Sequence, residues 1–180
     1  MGDAPAPWTL RRATGADAVA MAAMHIRAWQ AAYRGIVPDA HLDALDVGTR
    51  AARYRLDKPA PEDPETWLAV TEPAGDVIGF VVTGPCRDEG LPGLGEVWSI
   101  YVDPAHWREG VGARLMDDAV ARLDRAGFSE AILWVLTDNL RARRFYEAKG
   151  WHADGGTKTI QIGGQATRET RYRRAIGRAG

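Results

Sequence analysis

The sequence predicts an α/β protein: a three-layer α/β/α sandwich around a mixed central sheet of about six to seven strands. Three observations carry this reading. Short β-branched and aromatic runs alternate with helical periodicity along the whole chain. The segment 95–115, GEVWSIYVDPAHWREGVGARL, passes from strand through an Asp-Pro turn and a glycine-rich entry into an amphipathic helix. Gly163-Gly164 between two strand-like runs is a two-residue hairpin signal, so part of the sheet is antiparallel.

Taken in order, Trp8–Arg12 reads as a first strand. Asp17 to about Ala32 reads as a helix with Val19, Ala22, Ala23, Ile26 and Trp29 on its apolar side, interrupted by Gly35 and Pro38. Ala40–Leu56 resumes as a second helix carrying Leu42, Leu45 and Tyr54, and the proline-rich stretch Lys58–Glu65 reads as an exposed loop. Thr66–Thr71 and Val77–Thr83 form a hairpin around Pro73-Ala74-Gly75-Asp76. Gly84–Gly95 reads as a flexible loop before the strand Val97–Val102, and the helix Gly110–Ala126 follows. A buried strand over Ala131–Leu136 leads to a helix from Asn139 that stops at Gly150, and Trp151 opens the next strand. Thr157–Ile162 and Gln165–Arg174 complete the final hairpin. There is no internal repeat, so residues 1–180 are expected to form one domain, with 1–7 flexible.

Backbone N–H groups at the start of a helix lack intrahelical partners and lie at the positive end of its dipole, and glycines there let a bulky anion approach. The stretch around Gly110 and Gly112 is therefore a candidate phosphate cradle. A P-loop is excluded, because no Gly-Lys-Ser or Gly-Lys-Thr occurs. A dinucleotide fingerprint fails as well: Leu115 stands where its third glycine belongs, and seven residues separate Val102 from Gly110. Asp138 would otherwise serve as its ribose-binding acid.

Val102-Asp103-Pro104 followed by Trp107-Arg108-Glu109-Gly110-Val111-Gly112 resembles the pyrophosphate loop of the GNAT N-acetyltransferase superfamily, usually written [QR]-x-x-G-x-[GA]. Trp107 stands where that family usually has Gln or Arg, so the resemblance covers the backbone cradle and not that one side-chain contact. A second block strengthens the match. In NLRARRFYEAKGW, residues 139–151, Asn139, Ala142 and Tyr146 share one helical face. The pattern N-x-x-A-x-x-x-Y-x-x-x-G-W is similar to the later cofactor helix of the same superfamily.

The resemblance implies a sheet that splays between its fourth and fifth strands to admit the pantetheine arm of acetyl-CoA. It implies main-chain contacts from Ile100 and Val102 to that arm. The N–H groups of Arg108, Glu109, Gly110, Val111, Gly112 and Ala113 would hold the pyrophosphate, with Asn139, Ala142 and Tyr146 facing the cofactor. It implies direct acetyl transfer to a primary amine, of a small molecule or a peptide, with Glu96 as general base and Tyr146 as general acid. Trp29 and Tyr33, in WQAAYRGIVP, would wall the acceptor. Glu96 also reads as a strand-edge glutamate, Tyr146 as a packing tyrosine, and Trp29 and Tyr33 as core aromatics. The alternatives are a transferase using a longer acyl-CoA and a non-catalytic acyl-CoA-binding or regulatory module. Homodimer formation is common in such folds, and the resemblance allows for it here.

The chemistry needs a neutral amine. Freeing a lysine-like amine of pKa ~10.4 at pH 7 costs about 4–5 kcal/mol, whereas an α-amino group near 7.7–8.0 costs about 1–1.4 kcal/mol. Peptide N-termini thus need only a modest base.

A net charge of −1 argues against wholesale binding to nucleic acid or anionic membrane. The single Cys86 excludes an intramolecular disulfide and suits a reducing cytoplasm. It has no neighbouring His to activate it as a nucleophile. His25, His41, His106 and His152 show no metal-binding spacing, so no metal is expected. No apolar run has membrane-span length, and Met1–Pro7 has neither a basic nor an apolar leader region, so the expected location is cytoplasmic.

Overall fold

The computed structural model describes residues 8–57, 60 and 63–176. Seven strands form one sheet: β1 (Trp8–Arg12), β2 (Glu65–Thr71), β3 (Val77–Pro85), β4 (Gly95–Val102), β5 (Glu130–Leu136), β6 (His152–Ile162) and β7 (Gln165–Ala175). Their order is β1-β2-β3-β4-β5-β7-β6, antiparallel throughout except for the β4–β5 pair. The helices are α1 (Ala18–Tyr33), α2 (Asp39–Asp43), α3 (Val47–Ala51), α4 (Val111–Arg125) and α5 (Leu140–Ala148).

Helices cover both faces of the sheet. Met21, Met24 and Ala28 of α1 pack on Leu68, Val70 and Phe80. Val111, Leu115 and Met116 of α4 pack with Tyr146 of α5 on the opposite face, against Ala69, Val81, Leu133 and Val135. Near the end of α1, Tyr33, Val37 and Leu42 pack on Leu136 and Ile162. Fully burying such a side chain is worth roughly 1.5–3 kcal/mol, so these clusters hold the three layers together.

Two elements depart from the sequence reading. Val19 is 63% exposed, and the buried side of α1 joins the expected Ala22 and Ile26 with Met21, Met24 and Ala28; alanines and methionines fill this helix, so periodicity alone leaves its rotation open. The single helix expected over Ala40–Leu56 is two short ones. Asp46 ends the first by turning its carboxylate onto the Thr49 N–H at 2.7 Å, starting α3 afresh. Most of the proline-rich loop expected over Lys58–Glu65 lies outside the described residues, and Glu65 already belongs to β2. The 86–94 connection is tied at its base, where the Cys86 N–H donates to the Leu94 carbonyl at 2.9 Å.

The feature that positions the site is the β4–β5 pair. Only Gly95↔Ala131 and Glu96↔Ile132 are in register, and beyond them the strands separate, as the resemblance implied. Gly95 sits at the vertex because a Cβ there would lie 3.0 Å from Leu123 and 3.2 Å from Phe128. Glu96, 1% exposed, accepts the Arg87 backbone N–H at 2.8 Å and its guanidinium at 2.5 Å. One more irregularity matters. The β3–β4 register jumps from Val82↔Ser99 to Thr83↔Val97, leaving Trp98 as an extra residue. Strand parity therefore inverts at Trp98. Val97, Ile100 and Val102 contribute to the α4 side, and Tyr101 to the α1 side.

Two predictions concern stability. Glu96→Gln weakens the buried bonds to Arg87, whose half-exposed guanidinium can turn to water, and should cost about 1.5–3 kcal/mol in urea unfolding. His25 is buried with its Nδ1 2.8 Å from the Tyr54 hydroxyl, and burial lowers its pKa to about 3, aided by the nearby Arg50. Since the folded value lies below the unfolded one, the unfolded chain takes the proton first. This contribution is whole above pH ~6.5 and declines toward pH 3, by up to about 1.4 kcal/mol per pH unit. His25→Gln should flatten that slope in denaturant titrations between pH 6.5 and 4.

Candidate active site

The separation of β4 from β5 opens a cavity of about 900 Å³. Residues Val97 to Val102 line one wall and Leu133 to Leu136 the other. The slit passes through the sheet, so the cavity reaches elements on both faces.

On the α4 side lies the glycine loop. Gly110 caps α4 with φ +81°, and Arg108 is also left-handed at φ +70°. The first bond inside the helix runs from the Arg114 N–H to the Gly110 carbonyl at 3.0 Å, which leaves the first-turn N–H groups without intrahelical acceptors. At Gly112 a Cβ would meet Val102 at 3.5 Å and Phe145 at 3.8 Å, ordinary contacts. Packing alone therefore does not demand glycine at 112. A bare backbone on the cavity wall suits a bulky anion that must approach closely, and the residues present fit a diphosphate.

Arg108, Gly110, Gly112 and Ala113 line the cavity with Ile100, Val102, Asn139, Ala142 and Tyr146. Two expected loop residues have their side chains elsewhere: Val111 is buried in the α4 core, and Glu109 is exposed with its carboxylate 2.8 Å from His106 Nδ1. Asn139 accepts the Ala142 N–H at 3.1 Å, so its side-chain oxygen caps α5. Tyr146 is 8% exposed and lines the cavity, and among the described residues its hydroxyl has no hydrogen-bond partner. Burial pushes its phenol pKa well up, so it stays protonated.

On the α1 side stand Trp29 and Tyr33, both on the cavity wall. The Tyr33 and Tyr101 hydroxyls lie 3.1 Å apart, and burial raises both pKa values. Trp29 Nε1 is buried with no hydrogen-bond partner among the described residues. Glu96 does not reach the cavity wall. Arg87, which does, covers it.

Several wall residues escape sequence reasoning. Trp98, beneath the Arg87 guanidinium at 4.3 Å, reaches the wall through the bulge. Trp134 carries Lys158 Nζ 4.1 Å from its ring centroid. Glu169 is cross-strand from Leu136 on β5 and from Lys158 on β6, so it projects to the same face as Leu136, the face covered by α1 and α2. Lys158 Nζ lies 3.3 Å from the Glu169 carboxylate, and Glu169 is the only carboxylate on the cavity wall among the described residues. The nearest sequence signal was the final hairpin itself, in which Thr157, Lys158 and Arg168 are further candidates to line the cleft. Only Lys158 of these three lines it.

Comparison with known proteins gives a consistent result. Residues 20–151 match the model of the acetyltransferase (GNAT) family. A protein of Mycobacterium tuberculosis, named as a probable N-acetyltransferase, is 31% identical over 156 residues, 86% of each chain. A mycothiol acetyltransferase of Kocuria rhizophila is 38% identical over 92 residues, 48% of this chain and 30% of its own length. The PaiA N-acetyltransferase of Thermoplasma acidophilum, solved with coenzyme A, superposes with a TM-score of 0.73 at 15% identity, covering 93% of this chain and 98% of that one. The ribosomal-protein-S18-alanine N-acetyltransferase of Escherichia coli superposes at 0.66 with 20% identity, covering 96% of both. At these identities the two superpositions bear on the fold.

Proposed function

Since the chain belongs to the GNAT acetyltransferase family and is an acetyl-CoA-dependent N-acetyltransferase, we propose that it moves the acetyl group directly to a primary amine within a ternary complex. The observation that carries this is the cavity through the sheet, with a phosphate-fitting loop on one face and an aromatic, carboxylate-bearing wall on the other. Acetyl-CoA supplies the acetyl thioester. The loop N–H groups from Arg108 to Ala113 hold its diphosphate, and the edge of β4 at Ile100 and Val102 takes the pantetheine. Asn139 and Ala142 shape the α5 wall. Trp29 and Tyr33 flank the acceptor.

Protons move between two side chains. Glu169 takes the first proton from the incoming ammonium, leaving a neutral nitrogen whose lone pair forms the C–N bond. Tyr146 gives its phenolic proton to the sulfur as the C–S bond breaks, then regains one from the second N–H of the new amide. Glu96, the base expected from sequence, has its carboxylate occupied by Arg87, and in this proposal it holds the vertex instead. Burial raises the Cys86 pKa, which keeps it a thiol and disfavours an acetyl-cysteine intermediate. The single cysteine suits a cytoplasmic setting, and no helix among the described residues is long and apolar enough to cross a membrane.

Thiol release from acetyl-CoA with a panel of primary amines tests the reading, and the absence of release with every amine would overturn it. With an accepted amine, Tyr146→Phe should lower kcat roughly 100-fold with little change in KM. Glu169→Gln should lower kcat/KM at least roughly tenfold at pH 7 and recover as pH approaches the amine's own pKa. A Glu169→Gln variant with an unchanged pH profile would return the base role to Glu96. Calorimetry with Gly112→Glu should show acetyl-CoA binding lost, because a carboxylate would occupy the cradle.

A further inference from the structure

Trp107 departs from the loop pattern, and the structure pairs that departure with a residue from another helix. The Trp107 indole N–H donates to the Val102 carbonyl at 2.9 Å. Its one donor is therefore used within the protein, and Trp107 has none left for a phosphate. The Gln or Arg usual at that position would have supplied one. On the face of this ring lies the guanidinium of Arg141, in the first turn of α5, with Cζ 3.4 Å from the ring centroid. Both residues line the cavity.

Arg141 makes no ion pair and no hydrogen bond to a protein acceptor among the described residues. Partial burial lowers its pKa, opposed only by the Tyr33 and Tyr146 phenols, and an arginine so placed remains charged. Two other arginines near this end of the molecule are engaged: Arg143 donates to the Tyr172 hydroxyl and the Thr137 carbonyl, and Arg27 to the Asp103 carboxylate. Stacking on an indole fixes the guanidinium plane while leaving its edge donors available, the arrangement suited to gripping a phosphoryl group in the plane. Pinned by Val102 at the end of β4, the Trp107 platform sets this cation beside the glycine loop.

We propose that Arg141, held flat on Trp107, is the side-chain clamp for the diphosphate of the acyl-CoA, replacing from α5 the contact that the loop has lost. The inference rests on the acetyl-CoA reading above. The fixed plane means little side-chain freedom is lost on binding, unlike Arg108, which shares the wall without such a platform.

The test is calorimetric titration of acetyl-CoA and of 3′-dephospho-CoA into wild-type protein, Arg141→Ala, Arg141→Lys, Trp107→Ala and Arg108→Ala, with apo melting temperatures for each. Arg141→Ala should weaken both ligands by the same factor, about ten- to a hundredfold, with its apo melting temperature within about 2 °C of wild type. Arg141→Lys should recover part of the loss through charge alone, and Trp107→Ala should weaken both ligands by releasing the clamp. Equal binding by wild type and Arg141→Ala would overturn the proposal while leaving the acetyl-CoA reading intact. So would a loss confined to acetyl-CoA, which would assign Arg141 to the 3′-phosphate, or a loss seen only in Arg108→Ala. If wild type binds neither ligand, the acetyl-CoA reading falls and this proposal with it.

Discussion

Everything in this molecule that handles a ligand depends on a sheet that stops pairing partway along two central strands. Strands β4 and β5 share two registered pairs at Gly95 and Glu96 and then part. A strand edge with open N–H and C=O groups is costly when buried dry, about 1–3 kcal/mol for each unmet group. The opening must therefore be enforced at its vertex and filled along its length. Enforcement falls to Gly95, packed under Leu123 and Phe128, and to Glu96, whose carboxylate binds the Arg87 backbone and guanidinium. Filling is left to a ligand that brings polar groups of its own.

The same break joins the two faces of the sheet. On the α4 and α5 side lie the glycine loop, Asn139 and Tyr146; on the α1 side lie Trp29, Tyr33 and the wall built by β6 and β7. The second side is arranged around aromatic rings that each hold a cation: Arg50 over Trp29, Arg87 over Trp98 and Lys158 over Trp134. These cations brace the walls, and Lys158 also pairs with the part-buried carboxylate of Glu169. A nearby positive charge favours the neutral form of an incoming amine.

Local features were legible in the sequence and pairings across the chain were not. The strand-turn-glycine-helix order at 95–115, the face shared by Asn139, Ala142 and Tyr146, and the Gly163-Gly164 turn each follow from residues close to one another along the chain, where steric and capping rules act. Glu96 is the base that the resemblance implies, from its place at the start of the strand beside the cleft. The bulge at Trp98 inverts the strand's parity, and the carboxylate is committed to Arg87, nine positions away. Glu169 reaches the wall because β7 inserts between β5 and β6, an order that no local pattern encodes. Asp46 did announce the α2–α3 break through its spacing to Thr49, a capping signal that the surrounding alanines and leucines masked.

A slit through the sheet also constrains the order of events. A group bound on the α4 face and a group bound on the α1 face can meet only inside the opening, where β4 and β5 supply the walls. Tyr146 reaches that opening from one face and Glu169 from the other. In the proposed mechanism the acid and the base thereby stand on opposite faces, with both ligands between them. Burial works in the same direction: it keeps the Tyr146 phenol protonated through neutral pH, so its proton moves only when a stronger base, such as a departing thiolate in a dry cleft, is generated beside it. Direct transfer is therefore the chemistry best suited to this architecture, since both ligands can meet inside the slit and the single cysteine, Cys86, does not line it.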